Sequence, residues 1–330
     1  MPQEAILFHC PQMTNLARRI RDAGKPHIKL ATITWKRFED EYPNLHIEKQ
    51  RRIRRSNVAF LASFDHPRDI FEQLSVIYAM PRAGAQLFKV ILPYFPTGTM
   101  ERVDDEGQVA TAKTLARMLS FVPICGQGPT ELVMYDVHAL QQRFYFGDNI
   151  VPRLKTGTKY LKERLAAMPD IAIAFPDYGA SKRFARMFGE FPDQIICNKI
   201  REGDKRVVIV AEGDPHGKHV VIVDDLIKTG GTLIECRAVL MRHGAAKVSA
   251  YATHGSFPQD SWKRFLGAGF EKVWITDSCP HTARKVAGLE PFEVLTLADS
   301  IARVITDEDE QIPGGAAEDD VAAYGDGVAL

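Results

Sequence analysis

Two adjacent acids and a glycine-containing turn lie between residues 220 and 233, where the chain reads VVIVDDLIKTGGTL. Four apolar residues precede Asp224 and Asp225, as in a strand that is buried on both faces of a sheet. Glycines let backbone N–H groups face an anion, and a helix N-terminus adds partial positive charge. The segment therefore predicts a binding site for a terminal phosphate. The turn that opens the predicted helix consists of Lys228, Thr229, Gly230, Gly231 and Thr232.

The two acids indicate that the ligand carries more than a phosphate, because carboxylates repel phosphate groups. A carboxylate can accept hydrogen bonds from neighbouring sugar hydroxyls, and it can hold Mg²⁺ through water. Ribose 5-phosphate combines a terminal phosphate with such hydroxyls, so Asp224 and Asp225 favour this sugar as the ligand. The alternative is that the acids only cap the start of the helix.

These residues need a sheet whose strands end at a common edge, since open α/β sheets bind ligands there. Short apolar runs alternate with amphipathic stretches in both halves of the chain, which predicts the α/β class with βαβ units and parallel sheets. We expect two domains, 1–153 and 154–291, with a strand and a helix in 292–306 packing back on the first. Strands are predicted at residues 5–8, 58–63, 88–93, 132–136, 171–175, 220–223, 248–253 and 273–276. Helices are predicted at residues 15–23, 68–80, 109–119, 160–165, 182–188, 232–243 and 260–266.

The composition excludes several classes of function. Among 330 residues, 42 basic and 42 acidic side chains balance, so no net charge attracts nucleic acid or an anionic membrane. No run approaches the about 18 apolar residues of a membrane span. Five cysteines without a CxxC pair are typical of a reducing compartment, and neither a disulfide nor a zinc site is expected.

The N-terminal sequence shows no targeting signal, and the C-terminal stretch shows no helical or strand periodicity. The N-terminal sequence MPQEAILFHC lacks the basic and apolar regions of a signal peptide, so we expect a cytoplasmic protein. Residues 307–330 are acidic and rich in glycine and alanine, which predicts a disordered tail.

The segment 220–233 resembles the phosphoribosyl pyrophosphate signature that type I phosphoribosyltransferases share with ribose-phosphate diphosphokinases. Three further segments are similar to the diphosphokinases: YDVHALQ at 135–141, FPDYG with the following Lys182 and Arg183, and THG at 253–255. The stretches PYFPTGTMERV, REGDKR and WITDSCP resemble the plant-type, class II branch. The resemblance implies two tandem type I phosphoribosyltransferase-like domains, each a mostly parallel sheet flanked by helices.

The resemblance also implies a reaction, the transfer of the β,γ-diphosphate of Mg-ATP to the 1-hydroxyl of ribose 5-phosphate. Asp224, Asp225 and the turn 228–232 would bind the sugar phosphate. Lys199 and Arg201 match the basic pair that the family carries on a flexible loop, and they are the implied catalytic residues. Taken alone, this basic run would be a solvated surface on a mobile loop or a hairpin.

Contacts to nucleotide and metal are implied for both halves. His138 matches a family position that contributes to Mg²⁺ or nucleotide phosphate binding, and Asp177 is implied as a metal ligand. Phe38 and Asp40 resemble family positions that meet the adenine. The alternatives are a hydrogen-bonded core histidine for His138, a helix cap for Asp177 and a solvated helix face for the basic pair at 182–183.

One departure from the common bacterial and animal branch affects the nucleotide site. Residues 99–101 read Thr-Met-Glu where that branch has Arg-Gln-Asp, and Arg102 would replace the missing charge. As the plant-type branch implies, we expect looser discrimination among nucleoside triphosphates and no requirement for free phosphate.

Two other functions remain open. A phosphoribosyltransferase would share the Asp-Asp turn, but such enzymes normally comprise one α/β domain with a hood. A non-catalytic regulatory subunit tends to lose site residues that this chain keeps. The expected partners are ATP or other nucleoside triphosphates, ribose 5-phosphate, Mg²⁺ and further copies of the chain, with no nucleic acid and no membrane.

Overall fold

The computed structural model describes residues 2–100, 103, 105–202 and 205–308, and at 201, 202, 205 and 206 it describes the backbone alone. The chain divides into two compact units. The first contains the described residues up to Thr156 together with those from Thr296 onward, and the second contains residues 157–295. Residues 309–330, most of the predicted tail, lie outside the described residues.

Strands and helices alternate along both units, as the periodicity predicts. The strands are β1 (Ala5–His9), β2 (Ile28–Leu30), β3 (Ile33–Arg37), β4 (Pro43–Ile47), β5 (Asn57–Leu61), β6 (Leu87–Ile91), β7 (Thr130–Tyr135), β8 (Ile150–Lys155), β9 (Ile171–Phe175), β10 (Gln194–Glu202), β11 (Lys205–Glu212), β12 (His219–Ile227), β13 (Lys247–Gly255), β14 (Val273–Thr276) and β15 (Phe292–Leu295). The helices are α1 (Thr14–Ala23), α2 (Pro67–Arg82), α3 (Thr111–Ser120), α4 (Thr158–Leu165), α5 (Tyr178–Phe184), α6 (Gly231–Arg242), α7 (Pro280–Val286) and α8 (Ala298–Ile305).

A parallel sheet occupies the first unit, with the strand order β2-β1-β5-β6-β7-β8. Its inner strands are apolar runs such as NVAFL in β5 and LFKVI in β6, and most of their side chains are buried. Helix α1 buries Leu16, Ala17 and Ile20, the apolar side that its sequence periodicity predicts. Strands β3 and β4 form a separate antiparallel hairpin.

The last described helix, α8, belongs to the first unit, where it packs on α1. A buried lysine ties its end to the sheet, because Lys89 Nζ donates to the Val304 carbonyl at 2.8 Å and pairs with Asp307 and Glu131. Asp307, the first residue of the predicted disordered tail, is therefore held in place. Within the stretch 292–306, the helix packs on the first unit as predicted, whereas the strand pairs with β14 in the second sheet.

The second unit contains a sheet with the strand order β11-β10-β9-β12-β13-β14-β15. Its pairs are parallel except for the antiparallel hairpin of β10 and β11. The central strand β12 buries four consecutive side chains, from Val220 to Val223, as a sheet covered on both faces requires. The predicted α/β class with mostly parallel sheets is confirmed.

Several elements of the structure were not predicted from the sequence, among them β2, β3, β4 and α7. Strand β8 lies at the expected domain boundary, where no strand was predicted. The sheet tolerates Pro152 within it because β8 is an edge strand. The basic stretch around Lys199 forms the β10–β11 hairpin, one of the two forms expected for it. The predicted helix 260–266 is replaced by a 3₁₀ stretch, Pro258–Phe265, in which Gln259 and Asp260 have positive φ. Among the described residues, no helix combines the length and the apolar character needed to cross a membrane.

Candidate active site

The two acids of the sequence signature lie on the central strand of the second sheet. Strand β12 pairs with β9 up to Ile222 and with β13 over its whole length, so Asp224 and Asp225 stand just beyond the last residue paired with β9. Asp225 is buried and Asp224 is partly buried. The Asp225 backbone N–H donates to Asp224 Oδ1 at 2.9 Å, which fixes the first carboxylate over the strand.

An arginine from the neighbouring helix neutralises the deeper acid. Arg183 Nη1 lies 2.9 Å from Asp225 Oδ2, and the two side chains are only 15% and 5% exposed. The solvated-face alternative is therefore wrong for Arg183, although it holds for the exposed Lys182. The sequence does not reveal this pair, because the inward-facing residue depends on where α5 begins. Once formed, a buried pair of this kind is costly to break on one side, by about 3–5 kcal/mol.

The pKa of Asp224 is raised well above its ordinary value. Burial is the main cause, and the negative charge of Asp225 is the next, while the positive charge of Arg183 acts in the opposite direction. The site therefore disfavours a second full negative charge until a ligand compensates for it. Sugar hydroxyls that donate to the carboxylate, or a cation, would supply that compensation.

The turn after β12 has the shape of an anion-binding loop. Gly230 has a φ of 75°, in the left-handed region, and α6 begins directly after it. An added Cβ at Gly230 would lie 2.3 Å from the Phe265 ring, so both the backbone angle and the space demand glycine. The first N–H groups of α6, from Gly231 and Thr232, lack partners within the helix and can face a phosphate.

The 3₁₀ stretch 258–265 braces this turn from outside. Ser261 Oγ donates to the Lys228 carbonyl at 2.9 Å, and Arg264 Nη1 donates to the Thr229 carbonyl at 2.8 Å. These bonds hold the turn through its carbonyl groups. Sequence reasoning missed Ser261 and Arg264, because it placed them on an ordinary surface helix.

The predicted catalytic lysine reaches the same turn from the β10–β11 hairpin. Lys199 Nζ donates to Thr232 Oγ1 at 2.6 Å, while Lys199 stays exposed. Arg201 lies farther along β10, where its backbone is opposite Arg206, and its side chain lies outside the described part of the chain. The structure thus brings Lys199 together with the acids and the turn 228–232.

Asp177 caps the helix that carries Arg183. Its Oδ1 accepts a hydrogen bond from the Ala180 backbone N–H at 2.8 Å, and α5 accordingly begins at Tyr178 rather than near the predicted residue 182. The side chain is exposed. Capping engages one carboxylate oxygen, so it leaves the other oxygen able to meet a metal ion or a bound water.

The remaining predicted residues belong to the first unit. His138 follows β7 and is partly buried, and its Cβ faces Gly98, whose carbonyl accepts a 2.5 Å bond from Gln142. Phe38 and Asp40 are exposed at the tip of the β3–β4 hairpin. Asp40 Oδ1 accepts from the Tyr42 backbone N–H and shapes that tip. Arg102 lies outside the described residues.

The chemistry of these side chains suits Mg²⁺ that arrives with a nucleotide. In the described ranges, no group of three or more His, Cys, Asp or Glu side chains could hold a metal by itself. Mg²⁺ commonly takes one or two carboxylates and completes its shell with water and substrate phosphates. The exposed Asp177 fits that requirement, whereas an imidazole such as that of His138 is a less favourable Mg²⁺ ligand.

Two family models of the same enzyme family match the two halves of the chain. A family model described as the N-terminal domain of ribose phosphate pyrophosphokinase matches residues 5–122, and one described as the phosphoribosyl synthetase-associated domain matches residues 194–311. The mitochondrial ribose-phosphate pyrophosphokinase 3 of Spinacia oleracea is 55% identical over 313 residues, which make up 92% of this chain and 77% of that protein. Ribose-phosphate pyrophosphokinase 4 of Arabidopsis thaliana is 52% identical over 305 residues, or 90% of each chain.

A solved structure shares the fold. The phosphoribosylpyrophosphate synthetase from Mycobacterium smegmatis matches with a TM-score of 0.78 and 22% identity, covering 94% of this chain and 100% of the other. At this identity the likeness concerns the fold alone. The identity to the plant proteins, by contrast, agrees with the branch that the sequence resembles. The chain belongs to the ribose-phosphate pyrophosphokinase family, in its plant-type branch.

Proposed function

We propose that the chain transfers the β,γ-diphosphate of Mg-ATP to the 1-hydroxyl of ribose 5-phosphate, giving phosphoribosyl pyrophosphate and AMP. The observation that carries the proposal is the meeting of three groups in the second unit. Asp224 and Asp225, the turn 228–232 and Lys199 all lie at one end of β12, and Lys199 bonds directly to Thr232 in that turn. Family membership supports the same reaction.

The acids and the turn bind the acceptor sugar. The phosphate of ribose 5-phosphate lies against the first N–H groups of α6, and Asp224 accepts hydrogen bonds from the ring hydroxyls. Arg183 pairs with Asp225, and its positive charge reduces the repulsion between the two carboxylates. Fixing the sugar at both ends places its 1-hydroxyl in one position, which is the main requirement of an in-line displacement.

Lys199 and Arg201 stabilise the negative charge that shifts within the diphosphate during transfer. Lys199 acts as a point charge on flexible methylene groups, and Arg201 can bind two phosphate oxygens at once. Before reaction, Lys199 is held by Thr232. A phosphate bound at the turn would compete for this hydroxyl and free the lysine for the transferring group.

Nucleotide and metal binding are assigned to five other residues. Asp177 helps to hold Mg²⁺, which when bound supplies positive charge on the β- and γ-phosphate oxygens. His138 donates to a nucleotide phosphate, which suits an imidazole better than metal coordination does. Phe38 and Asp40 contact the base from the exposed tip of the β3–β4 hairpin. Arg102 supplies the positive charge that residues 99–101 lack.

Three broader expectations from the sequence accompany the proposal. Each unit is a domain of the phosphoribosyltransferase type, with the division near residues 153–156. The active form is a homo-oligomer located in the cytoplasm.

The decisive experiment measures products. The purified chain is incubated with Mg-ATP and ribose 5-phosphate, and AMP, ADP and phosphoribosyl pyrophosphate are quantified against a reaction without the sugar. We expect AMP and phosphoribosyl pyrophosphate in equal amounts, and only in the complete reaction. Formation of ADP, or consumption of phosphoribosyl pyrophosphate with a free base, would contradict the proposal. Absence of turnover in the folded chain would favour a regulatory subunit.

A further inference from the structure

Two cysteines of the second unit touch each other beneath the candidate active site. Cys236 Sγ donates a weak hydrogen bond to Cys197 Sγ at a sulfur–sulfur distance of 3.0 Å. Cys197 lies on β10 and Cys236 on α6, and both are fully buried in the apolar core of this unit. The two residues are 39 positions apart in the sequence, so the fold and not the local chain brings them together.

The pair links the same two elements as the lysine contact of the site. Residues two apart on a strand share a face, and residues four apart on a helix share a side. Cys197 is therefore on the face of β10 that carries Lys199, and Cys236 is on the side of α6 that carries Thr232. The sulfur contact and the Lys199–Thr232 bond are two successive connections between β10 and α6.

The contact shifts the pKa values of the two thiols in opposite directions. The hydrogen bond from Cys236 lowers the pKa of the Cys197 thiol despite its burial, and the same bond, together with burial, raises the pKa of Cys236. Burial raises the pKa of Cys10, in the first unit, to about 12, and it also raises the pKa of Cys125. The thiolate is the nucleophile in cysteine oxidation, so Cys197 is the favoured attacking sulfur of the pair.

We propose that Cys197 and Cys236 are a modification site that forms a reversible disulfide when the protein meets hydrogen peroxide. The Cys197 thiolate attacks one peroxide oxygen, the O–O bond breaks, hydroxide leaves and a sulfenic acid remains on Cys197. Cys236 loses its proton and attacks the Cys197 sulfur, the S–S bond forms and a second hydroxide leaves. The two hydroxides take up the two thiol protons, so two thiols and one peroxide give one disulfide and two waters.

Bond formation alters the geometry beside the phosphate turn. A disulfide has an S–S distance of about 2.05 Å, so the sulfurs must approach by about 1 Å from their present 3.0 Å. The approach draws β10 toward α6 and fixes the strand at the residue pair next to Lys199. Under the proposed function, Lys199 must leave Thr232 to reach the transferring phosphoryl group. The disulfide restricts this movement of Lys199, and turnover therefore falls. A dithiol reductant reverses the change.

The first arm of the test does not depend on activity. The intact chain is treated with hydrogen peroxide, quenched by alkylation and digested without reductant for mass spectrometry. We expect two of the five thiols to disappear, a peptide linking Cys197 to Cys236, and loss of that link on treatment with dithiothreitol. Retention of all five thiols, or oxidation of other cysteines without this link, would overturn the proposal.

The second arm measures turnover with matched variants. The wild type should lose at least about tenfold in kcat on oxidation and recover with dithiothreitol, with the KM for ribose 5-phosphate changed only a few-fold. Cys197→Ala and Cys236→Ala should be insensitive to peroxide, whereas Cys10→Ala should respond as the wild type does. Equal losses in wild type and Cys197→Ala, or an oxidised chain with full activity, would refute the switch. If one variant does not fold, the linked peptide in the wild type still decides. A chain that never forms AMP refutes the proposed reaction but leaves the first arm intact.

Discussion

The substitution Gly230→Ala tests whether the turn after β12 needs glycine for two separate reasons. The residue has a φ of 75°, and an added Cβ would lie 2.3 Å from Cε2 and 2.5 Å from Cζ of Phe265. Phe265 is fully buried against Phe257, Phe270 and Phe292, with ring centroids 5.4–5.8 Å apart, so it has little room to move away. We expect a loss of stability and a loss of sugar-phosphate affinity.

The magnitude follows from the two costs. A left-handed backbone costs a residue with a Cβ about 1–2 kcal/mol, and overpacking a tight core costs about 1–3 kcal/mol. Alanine also reduces the conformational entropy of the unfolded chain, which offsets about 0.4–1 kcal/mol of this loss of stability. Gly230→Ala should therefore lower the free energy of unfolding of the second unit by about 2–4 kcal/mol.

Two other glycines of the same unit separate these costs. Gly217 has a φ of 72° with no atom within 4 Å of an added Cβ, so Gly217→Ala carries only the backbone cost, about 1 kcal/mol. Gly267 has open space and no positive φ, so Gly267→Ala should leave stability unchanged or raise it slightly. The difference between Gly230→Ala and Gly217→Ala measures the Phe265 contact.

Two measurements are made on each variant. Denaturant unfolding is monitored by the hydrogen exchange of α6, and binding of ribose 5-phosphate is measured by calorimetric titration. Hydrogen exchange assigns the stability change to the second unit, which a single global midpoint of a two-unit chain would not. We expect affinity to fall at least about tenfold for Gly230→Ala and to stay within about twofold for Gly217→Ala. Equal stability of these two variants would refute the steric argument, and unchanged affinity would refute the role of the turn.

Further predictions concern charge, protonation and the nucleotide. Lys199→Ala should lower kcat by about 10² to 10⁴-fold and leave both KM values within a few-fold. The control Lys218→Ala removes a lysine that is paired with Asp193 away from the turn, and it should leave kcat unchanged. A parallel rise in KM for Lys199→Ala would contradict a role confined to the transition state. The pKa of Asp224 is raised, and the ring hydroxyls are proposed to donate to its carboxylate form. Affinity for ribose 5-phosphate should therefore fall by up to about tenfold per pH unit as the pH drops below that pKa. Asp224→Asn should bind weakly without this pH dependence, and an identical pH profile for both proteins would exclude Asp224. GTP, CTP and UTP should replace ATP in phosphate-free buffer, since residues 99–101 lack the Arg-Gln donors of the common branch; strict ATP use with strong phosphate activation would contradict this.

The sequence predicted the parts of the fold that depend on local signals. The run 220–223 is apolar because both faces of β12 are covered, and the glycines after it mark the turn where the strand gives way to a helix. Both features lie within about a dozen residues, so no distant contact is needed to recognise them. The strand itself extends farther than predicted, to Ile227, because pairing with β13 continues past the acids.

Features that depend on distant partners could not be predicted in the same way. Pro152 would disrupt the interior of a sheet, and its place at the sheet edge, which depends on the pairing with β7, makes β8 possible. The inward position of Arg183 follows from the cap at Asp177, which sets the start of α5 and hence the side on which each residue falls. The contact of Cys197 with Cys236 joins a strand and a helix that carry no common signal in the sequence.

The position of each group within the sheet matches the step in which it is proposed to act. Asp224 and Asp225 lie on the central strand beside β13, and the buried Asp225 is paired with Arg183. This rigid placement favours groups that bind the sugar in every state. β10 pairs with β9 over residues 194–196, and Lys199 comes after that stretch, where β11 is its strand partner. Segments with fewer neighbours open at a lower free energy, so Lys199 can move with the transferring group at little cost. The edge hairpin thus suits a charge needed only in the transition state, and for this reason the lysine should affect turnover while Gly230 affects affinity.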